Sequence, residues 1–379
     1  MTDVVIAAYR RSPFHFAGKG DLARVRPDEL VAQVMRALLA ESKADPAAIE
    51  DVVMGCAFPE GEQGLNIARL ASFLAGLPQA AGGVTVNRFC GSSMQAVHQA
   101  AGAIRMGAGE AFLCAGVESM SRVPIMGFNP LPHPVLAKEF PQAYISMGET
   151  AENVARRHQI PRREQEEFAA ESQRRAAKAQ VEGYFSAEIV PIRTRTGTVE
   201  ADGCIRPDTT ADGLASLKPA FDKEGTVTAG TSSPLTDGAA ALLVCSEEHA
   251  RSRGMEPLAR IRGIAVAGCA PEIMGMGPVE ASRKALARAG IGVGDLDVVE
   301  LNEAFASQSI ACIRELGLDP AMVNIDGGAI ALGHPLGATG ARIVGKAASL
   351  LRRQNGRYAL ATQCIGGGQG IATVLEAVE

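Results

Sequence analysis

The sequence predicts an α/β protein made of two homologous halves, with a long insertion in the first. Three observations carry that reading. Short β-branched runs alternate with longer helical stretches, the same order returns in the last third of the chain, and a proline-broken middle has no counterpart.

Taken in order, Val4-Val5-Ile6 reads as a strand, 28–41 as a helix, Val52-Val53-Met54 as a strand, 64–75 as a helix and Val84-Thr85-Val86 as a third strand. After residue 258 come Ala259-Arg260-Ile261, a helix over 278–289, Val298-Val299-Glu300-Leu301, a helix over 303–316 and Val323-Asn324-Ile325. Ala37-Leu38-Leu39-Ala40 leading to Asp51-Val52-Val53 resembles Ala285-Leu286-Ala287-Arg288 leading to Asp297-Val298-Val299. After the third strand of each half a small-residue loop opens a helix, Cys90-Gly91-Ser92-Ser93 in one and Gly333-His334-Pro335-Leu336-Gly337 in the other. The closing strands 111–116 and 359–364 also correspond. The expected layout is a pseudo-dimer of domains 1–248 and 254–379, joined around 246–257. The stretch of about 119–245 is then an insertion, with Pro124, Pro130, Pro132, Pro134, Pro141 and a charged helix over 160–182. Such a segment is expected to be a functional cover rather than a linker.

Composition narrows the function. With 379 residues, 47% of them hydrophobic, the chain can bury a large core, and a net charge of −5 without a basic run speaks against nucleic acid. Eight scattered cysteines with no C-x-x-C pair predict reduced thiols and neither a disulfide framework nor a zinc site. The apolar run Val4 to Ala8 is too short for a signal peptide, so a cytoplasmic protein is expected. Tyr358 to Leu375 is uncharged and about as long as a membrane span, but Gly366-Gly367-Gly368 in its middle predicts strand, turn, strand, and no membrane span. Gly340 to Ala347 nearly spells a phosphate loop, yet Ala347 replaces the metal-binding hydroxyl and the stretch falls within a helix.

Cys90 lies between a strand and a helix, where free N–H groups and the helix dipole favour a thiolate. Its alternative is a buried cysteine acting as a small hydrophobe. His334 and Cys364 occupy glycine-rich turns of the second half that a pseudo-two-fold axis would bring to the same edge. One thiolate could attack, an imidazole activate it, and a second thiol move a proton, with the N–H groups of Cys90 and the Gly366 turn forming an oxyanion hole. For His334 a capped or hydrogen-bonded core role stays open, and for Asn302, which follows Leu301, a helix N-cap.

Four blocks together resemble the signatures of the thiolase family: Asn87-Arg88-Phe89-Cys90-Gly91-Ser92-Ser93-Met94-Gln95, Asn302-Glu303-Ala304-Phe305, Gly327 to Pro335, and Cys364-Ile365-Gly366-Gly367-Gly368-Gln369-Gly370. The resemblance spans nearly the whole chain. It implies a five-layered α-β-α-β-α fold with a loop domain over the site, and acyl transfer between 3-ketoacyl-CoA and CoA. Cys90 would be the nucleophile, His334 its activator, Cys364 the acid and base, and Asn302 the holder of a water facing the enolate. Cys90 and Gly366 would supply the oxyanion hole. Ser233 and Met274 would line the CoA tunnel, with Met147 and Ser146 at the substrate. Ser146 stands where short-chain biosynthetic members carry histidine, which points to the degradative 3-ketoacyl-CoA thiolases of bacterial β-oxidation; acetoacetyl-CoA thiolase or a thiolase of aromatic-acid breakdown is the alternative. CoA is then a substrate, and no metal or other cofactor is implied. A homodimer or homotetramer is implied, with a hydratase/dehydrogenase as a further candidate partner. A decarboxylating ketoacyl synthase would share the fold and Cys90, but the Cys364 loop speaks against it, and a non-catalytic acyl-CoA carrier would have lost one of the reactive residues.

Overall fold

A computed structural model describes residues 2–378; Met1 and Glu379, the outer bounds of the two expected domains, lie outside the described residues. The first half runs β1 (Val4–Arg11), β2 (His15–Phe16), α1 (Pro27–Glu41), β3 (Asp51–Gly55), α2 (Ile67–Ala75), β4 (Gly82–Val86), α3 (Ser92–Arg105) and β5 (Ala111–Ser119). The insertion carries α4 (Pro134–Glu139), α5 (Met147–Arg157), α6 (Arg162–Val181), the β6–β7 ribbon (Ile192–Arg193, Thr198–Val199) and α7 (Ala211–Ala215). Then follow β8 (Thr236–Ser246), α8 (Glu247–Ser252), β9 (Ala259–Gly268), α9 (Gly277–Ala289) and β10 (Val298–Leu301). The chain closes with α10 (Ala306–Leu316), α11 (Ala329–Leu332), α12 (Leu336–Gln354), β11 (Tyr358–Ile365) and β12 (Gln369–Glu376).

The main sheet has the order β10-β11-β12-β9-β1-β8-β5-β3-β4, with β2 beside β8. Its symmetry is visible in the pairing. β1 lies next to β8 and then β5 and β3, as β9 lies next to β12 and then β11 and β10. The halves meet at a seam of two residue pairs, Val5 with Arg260 and Ile6 with Ala259.

Alternation along the strands sends side chains to two cores. Val5, Val52, Leu113 and Leu243 face Leu30 and Val34 of α1 and Ala68 and Ala71 of α2. Ile6, Val53, Cys114 and Leu242 face Met94 and Val97 of α3 and Val344 and Ala347 of α12. The same two helices take Val298, Ala361 and Ile371 from the second half, whose outer face is covered by α9 and α10 through Leu286, Ile313 and Leu316. The result is the five-layered α-β-α-β-α arrangement that the resemblance implies. Strands covered on both faces are apolar over most of their length, and every residue of β5 and β8 is buried, including Glu118 and Asp237 near the site end. Three glycines permit the central packing: a Cβ at Gly55 would meet the backbone of Ser93, one at Gly116 the backbone of Gly337, and one at Gly340 the backbone of Met94.

Two sequence expectations are corrected. The stretch without counterpart ends at 235 and not at 245, because β8 pairs with β1 and β5 as β12 pairs with β9 and β11. Val323-Asn324-Ile325 is no strand; only the bridge Val299–Val323 forms. Asn324 takes a left-handed φ of 49° and its side chain substitutes for a ladder, accepting from Leu301 N–H (2.9 Å) and donating to Leu301 C=O (2.8 Å). The phosphate-loop look-alike lies inside α12, with Lys346 buried between Glu188 (3.2 Å) and Asp326 (2.7 Å). Tyr358 to Leu375 forms β11, a turn and most of β12, with Gly367 and Gly368 at φ of 79° and 84°. Among the described residues no helix is long and apolar enough to cross a membrane, and all eight cysteines are free.

Candidate active site

Cys90 sits two residues before α3 in a loop held by its own side chains. Asn87 Oδ1 accepts from Phe89 N–H (2.8 Å), and Ser92 Oγ accepts from Arg88 N–H (2.9 Å) and donates to Phe89 C=O (2.6 Å). These bonds hold Phe89 at a left-handed φ of 43°, a conformation retained only where the surroundings enforce it. Arg88 donates to Gln95 (2.9 Å) and to Gln369 (2.7 Å), tying the loop to β12. On the other side Gln363 Nε2 donates to Cys90 C=O.

The thiol is not the ready thiolate that a helix N-terminus suggests. Burial pushes Cys90 up to about 11, against the pull of the Gly366 and Cys90 N–H groups that face its sulfur, and Glu118 adds to the rise. Those two N–H groups are the pair expected to form the oxyanion hole.

His334 precedes α12, after Gly333 at φ 101°. Thr339 Oγ1 donates its only proton to Pro335 C=O (3.0 Å), so its contact with His334 Nδ1 (2.6 Å) requires Nδ1 to carry a proton. Nε2 is then the free lone pair, and it faces Asn302 Nδ2 at 3.3 Å. Burial pushes the imidazole down to about 3, with Arg342 adding to the shift, so the ring is neutral. Asn302 follows β10, donates its N–H to Thr362 C=O (3.0 Å), and has a buried Oδ1 with no hydrogen-bonding partner among the described residues. It does not cap α10, whose N-cap is Phe305.

Cys364 lies at the end of β11, the parallel neighbour of β10, and packs with Met274, Ala304 and Phe305, with Met147 against them. Burial holds its thiol well above the usual range, with Cys90 and Cys312 adding to the effect. A Cβ on Gly366 would lie 3.5 Å from Met147 Sδ and 3.7 Å from Phe89, so methionine, loop and glycine turn converge. Ser233 joins them by two bonds to Ala304 C=O, from its N–H (3.0 Å) and its hydroxyl (3.1 Å). Ser146 is diverted. It is the exposed N-cap of α5, and its hydroxyl donates to Glu149 at 2.6 Å in a capping box.

Two contributors escaped sequence reasoning. Thr339 is one helical turn into α12 and fixes the His334 tautomer; its five-residue spacing was the available signal. Phe221, in the insertion, meets Phe305 edge-on at 5.9 Å and closes the apolar wall; nothing in its neighbourhood of the sequence marks it.

Comparison with known proteins agrees with this architecture. The thiolase N-terminal domain matches residues 4–248 and the thiolase C-terminal domain residues 255–377. The chain belongs to the thiolase family, a family of acyltransferases. Over the full length of both chains it is 49% identical to a 3-ketoacyl-CoA thiolase of Aeromonas hydrophila and 51% identical to one of Pseudoalteromonas translucida. The human mitochondrial 3-ketoacyl-CoA thiolase in complex with CoA superposes with a TM-score of 0.92 at 38% identity, over 100% of this chain and 98% of that one. The acetyl-CoA acetyltransferase of Bacillus anthracis gives the same TM-score at 41% identity, over 100% and 99% of the two chains.

Proposed function

We propose that this chain cleaves 3-ketoacyl-CoA with CoA, giving acetyl-CoA and a shortened acyl-CoA, in fatty-acid β-oxidation. The observation that carries the reading is that Cys90 and Cys364, from different halves, act on each other with the N–H groups of Cys90 and Gly366 at the Cys90 sulfur, while Asn302, beside the neutral His334, is bonded to the strand that carries Cys364.

Because Cys90 rests as a thiol, His334 Nε2 takes its proton as the sulfur attacks the 3-keto carbon. The alkoxide is held by the N–H groups of Cys90 and Gly366. Carbon–carbon cleavage expels the enolate of acetyl-CoA. Its thioester oxygen faces the protonated His334 and a water held by Asn302 Oδ1, and Cys364 gives its proton to the carbon. Incoming CoA then returns a proton to Cys364, its thiolate takes the acyl group, and Cys90 leaves as a thiolate that retakes its proton from His334, which restores the resting thiol and the neutral imidazole. CoA is consumed as a substrate, and the sequence needs no metal or redox cofactor. Ser233, Met274 and Met147 line the pantetheine path.

Ser146 presents no imidazole and keeps its hydroxyl for Glu149, and a serine, smaller than the histidine of short-chain members, supports a longer acyl group. Each buried methylene contributes about 0.8 kcal/mol, so two favour a medium-chain substrate by roughly tenfold. The enzyme works in the cytoplasm as a homodimer or homotetramer, alone or with a hydratase/dehydrogenase partner. A dimer is supported by the free edge of β4 beside α2, where Leu65, Leu70, Phe73, Leu74 and Val84 are exposed. The test is peptide mass mapping after exposure to 3-ketoacyl-CoA without free CoA, with thiolysis rates over increasing chain length. The acyl mass is expected on Cys90 and kcat/KM is expected to be higher for medium chains than for four carbons. An acyl mass on Cys364, or on no cysteine, overturns the roles, and rates falling steadily from four carbons upward overturn the chain-length reading.

A further inference from the structure

Glu118, at the end of β5, is 1% exposed and lies among groups from both halves. Its Oε2 accepts from Ala57 N–H (2.8 Å) in the first half and from Gly337 N–H (2.9 Å) at the start of α12 in the second. Its Oε1 accepts from Phe58 N–H (3.3 Å) and Gln63 Nε2 (2.8 Å), with the Cys56 thiol at 3.8 Å. Burial pushes this carboxyl up from its ordinary value, while the donors around it, each of which favours the carboxylate, pull it back. The two ends of this clamp lead to the chemistry. Phe58 packs on Phe89 with ring centres 6.0 Å apart, one residue before Cys90, and Gly337 stands three residues after His334. A Cβ at Gly337 would sit 2.8 Å from both Glu118 Oε2 and Cys56 Cα, so the helix start is already seated at closest approach.

We propose that Glu118 is a positioning residue that sets the nucleophile loop of the first half against the histidine helix of the second. The inference rests on the roles proposed above for Cys90 and His334. Its carboxylate also bears on the buried Cys90 thiol, which faces the N–H groups of Gly366 and Cys90 and lies near Cys364. Removing the charge therefore has two effects of opposite sign: the thiol ionises more readily, while the clamp loosens.

The experiment compares wild type, Glu118→Gln and Glu118→Asp in thiolysis and in iodoacetamide alkylation of Cys90 followed from pH 7 to 10. Glu118→Gln is expected to lose about a hundredfold in kcat, as misplacements of about 1 Å do, with KM changed less than about twofold. Its Cys90 should nevertheless alkylate faster than wild type at each pH. Glu118→Asp keeps the charge and shortens the reach, so kcat falls while the alkylation profile stays that of wild type. Circular dichroism establishes that each variant is folded, and if Glu118→Gln fails to fold, Glu118→Asp carries the test. Wild-type kcat in a folded variant overturns the inference, as does a Glu118→Gln alkylation profile no faster than wild type. Cys90→Ala serves as the reference: its retention of turnover would instead remove the catalytic roles themselves.

Discussion

Among single residues, Glu300 shows how burial and pairing compete. Burial pushes its carboxyl up to about 7 from an ordinary 4.5, although Arg342 and Lys346 pull it down; Asp326 and Glu188 add to the rise. One oxygen accepts from Arg342 at 2.7 Å, while Oε1 has no hydrogen-bonding partner among the described residues. An unfolded chain releases this proton near the ordinary value and the folded one retains it up to about 7, so the folded state holds the extra proton in between. The group's stabilising contribution is thus complete below the ordinary value and is lost as pH rises through about 7. The melting temperature of wild type should fall more between pH 5 and 7.5 than that of Glu300→Gln, measured by thermal unfolding across that range; equal slopes would contradict the assignment. At this scale Cys90, His334, Cys364 and Asn302 were legible because each stands in a short, distinctive turn at a strand or helix end. Thr339 was less so and Glu118 was not, because most of the latter's partners are backbone groups from two distant parts of the chain. The resting thiol of Cys90 was also beyond the sequence, since local order speaks for the helix end but not for the depth of burial.

Between elements, the contact of α3 with α12 is the most constrained. A methyl group added at Gly340 meets the backbone of Met94, which cannot swing aside as a side chain would. Overpacking of this kind costs about 1–3 kcal/mol, more where backbone must move. Gly340→Ala should therefore unfold at lower urea than wild type with an unchanged m-value, whereas a matching substitution at Gly102, which has open space around it, should not. Most elements were visible in the sequence because apolar period and turn residues agree. The exceptions have physical causes. Asn324 replaces a strand by side-chain bonds, and β8 is separated from its own half by the insertion, so proximity in sequence assigned it wrongly.

At the scale of the molecule, the ten-stranded sheet ends in β4, whose outer edge has no neighbour among the described residues, and the adjoining face of α2 is apolar. Leu65 is 89% exposed there and Phe73 46%. A charge in that face should oppose self-association: wild type is expected to sediment as a dimer or tetramer, and Phe73→Glu as a smaller species. Identical sedimentation of the two would place the subunit contact elsewhere.

The late arrival of β8 has a consequence for how the protein is made. β1 emerges from the ribosome almost at once, but β8, the strand that lies between it and β5, follows only after the whole insertion has been synthesised. At about 5–20 residues per second the interval is roughly 10–45 s, during which the nascent first half has no closed sheet and two unpaired strand flanks. α12, which completes its inner face, comes later still. The first half therefore waits for late-synthesised segments to complete its core, and its apolar strands stay uncovered on the growing chain until then.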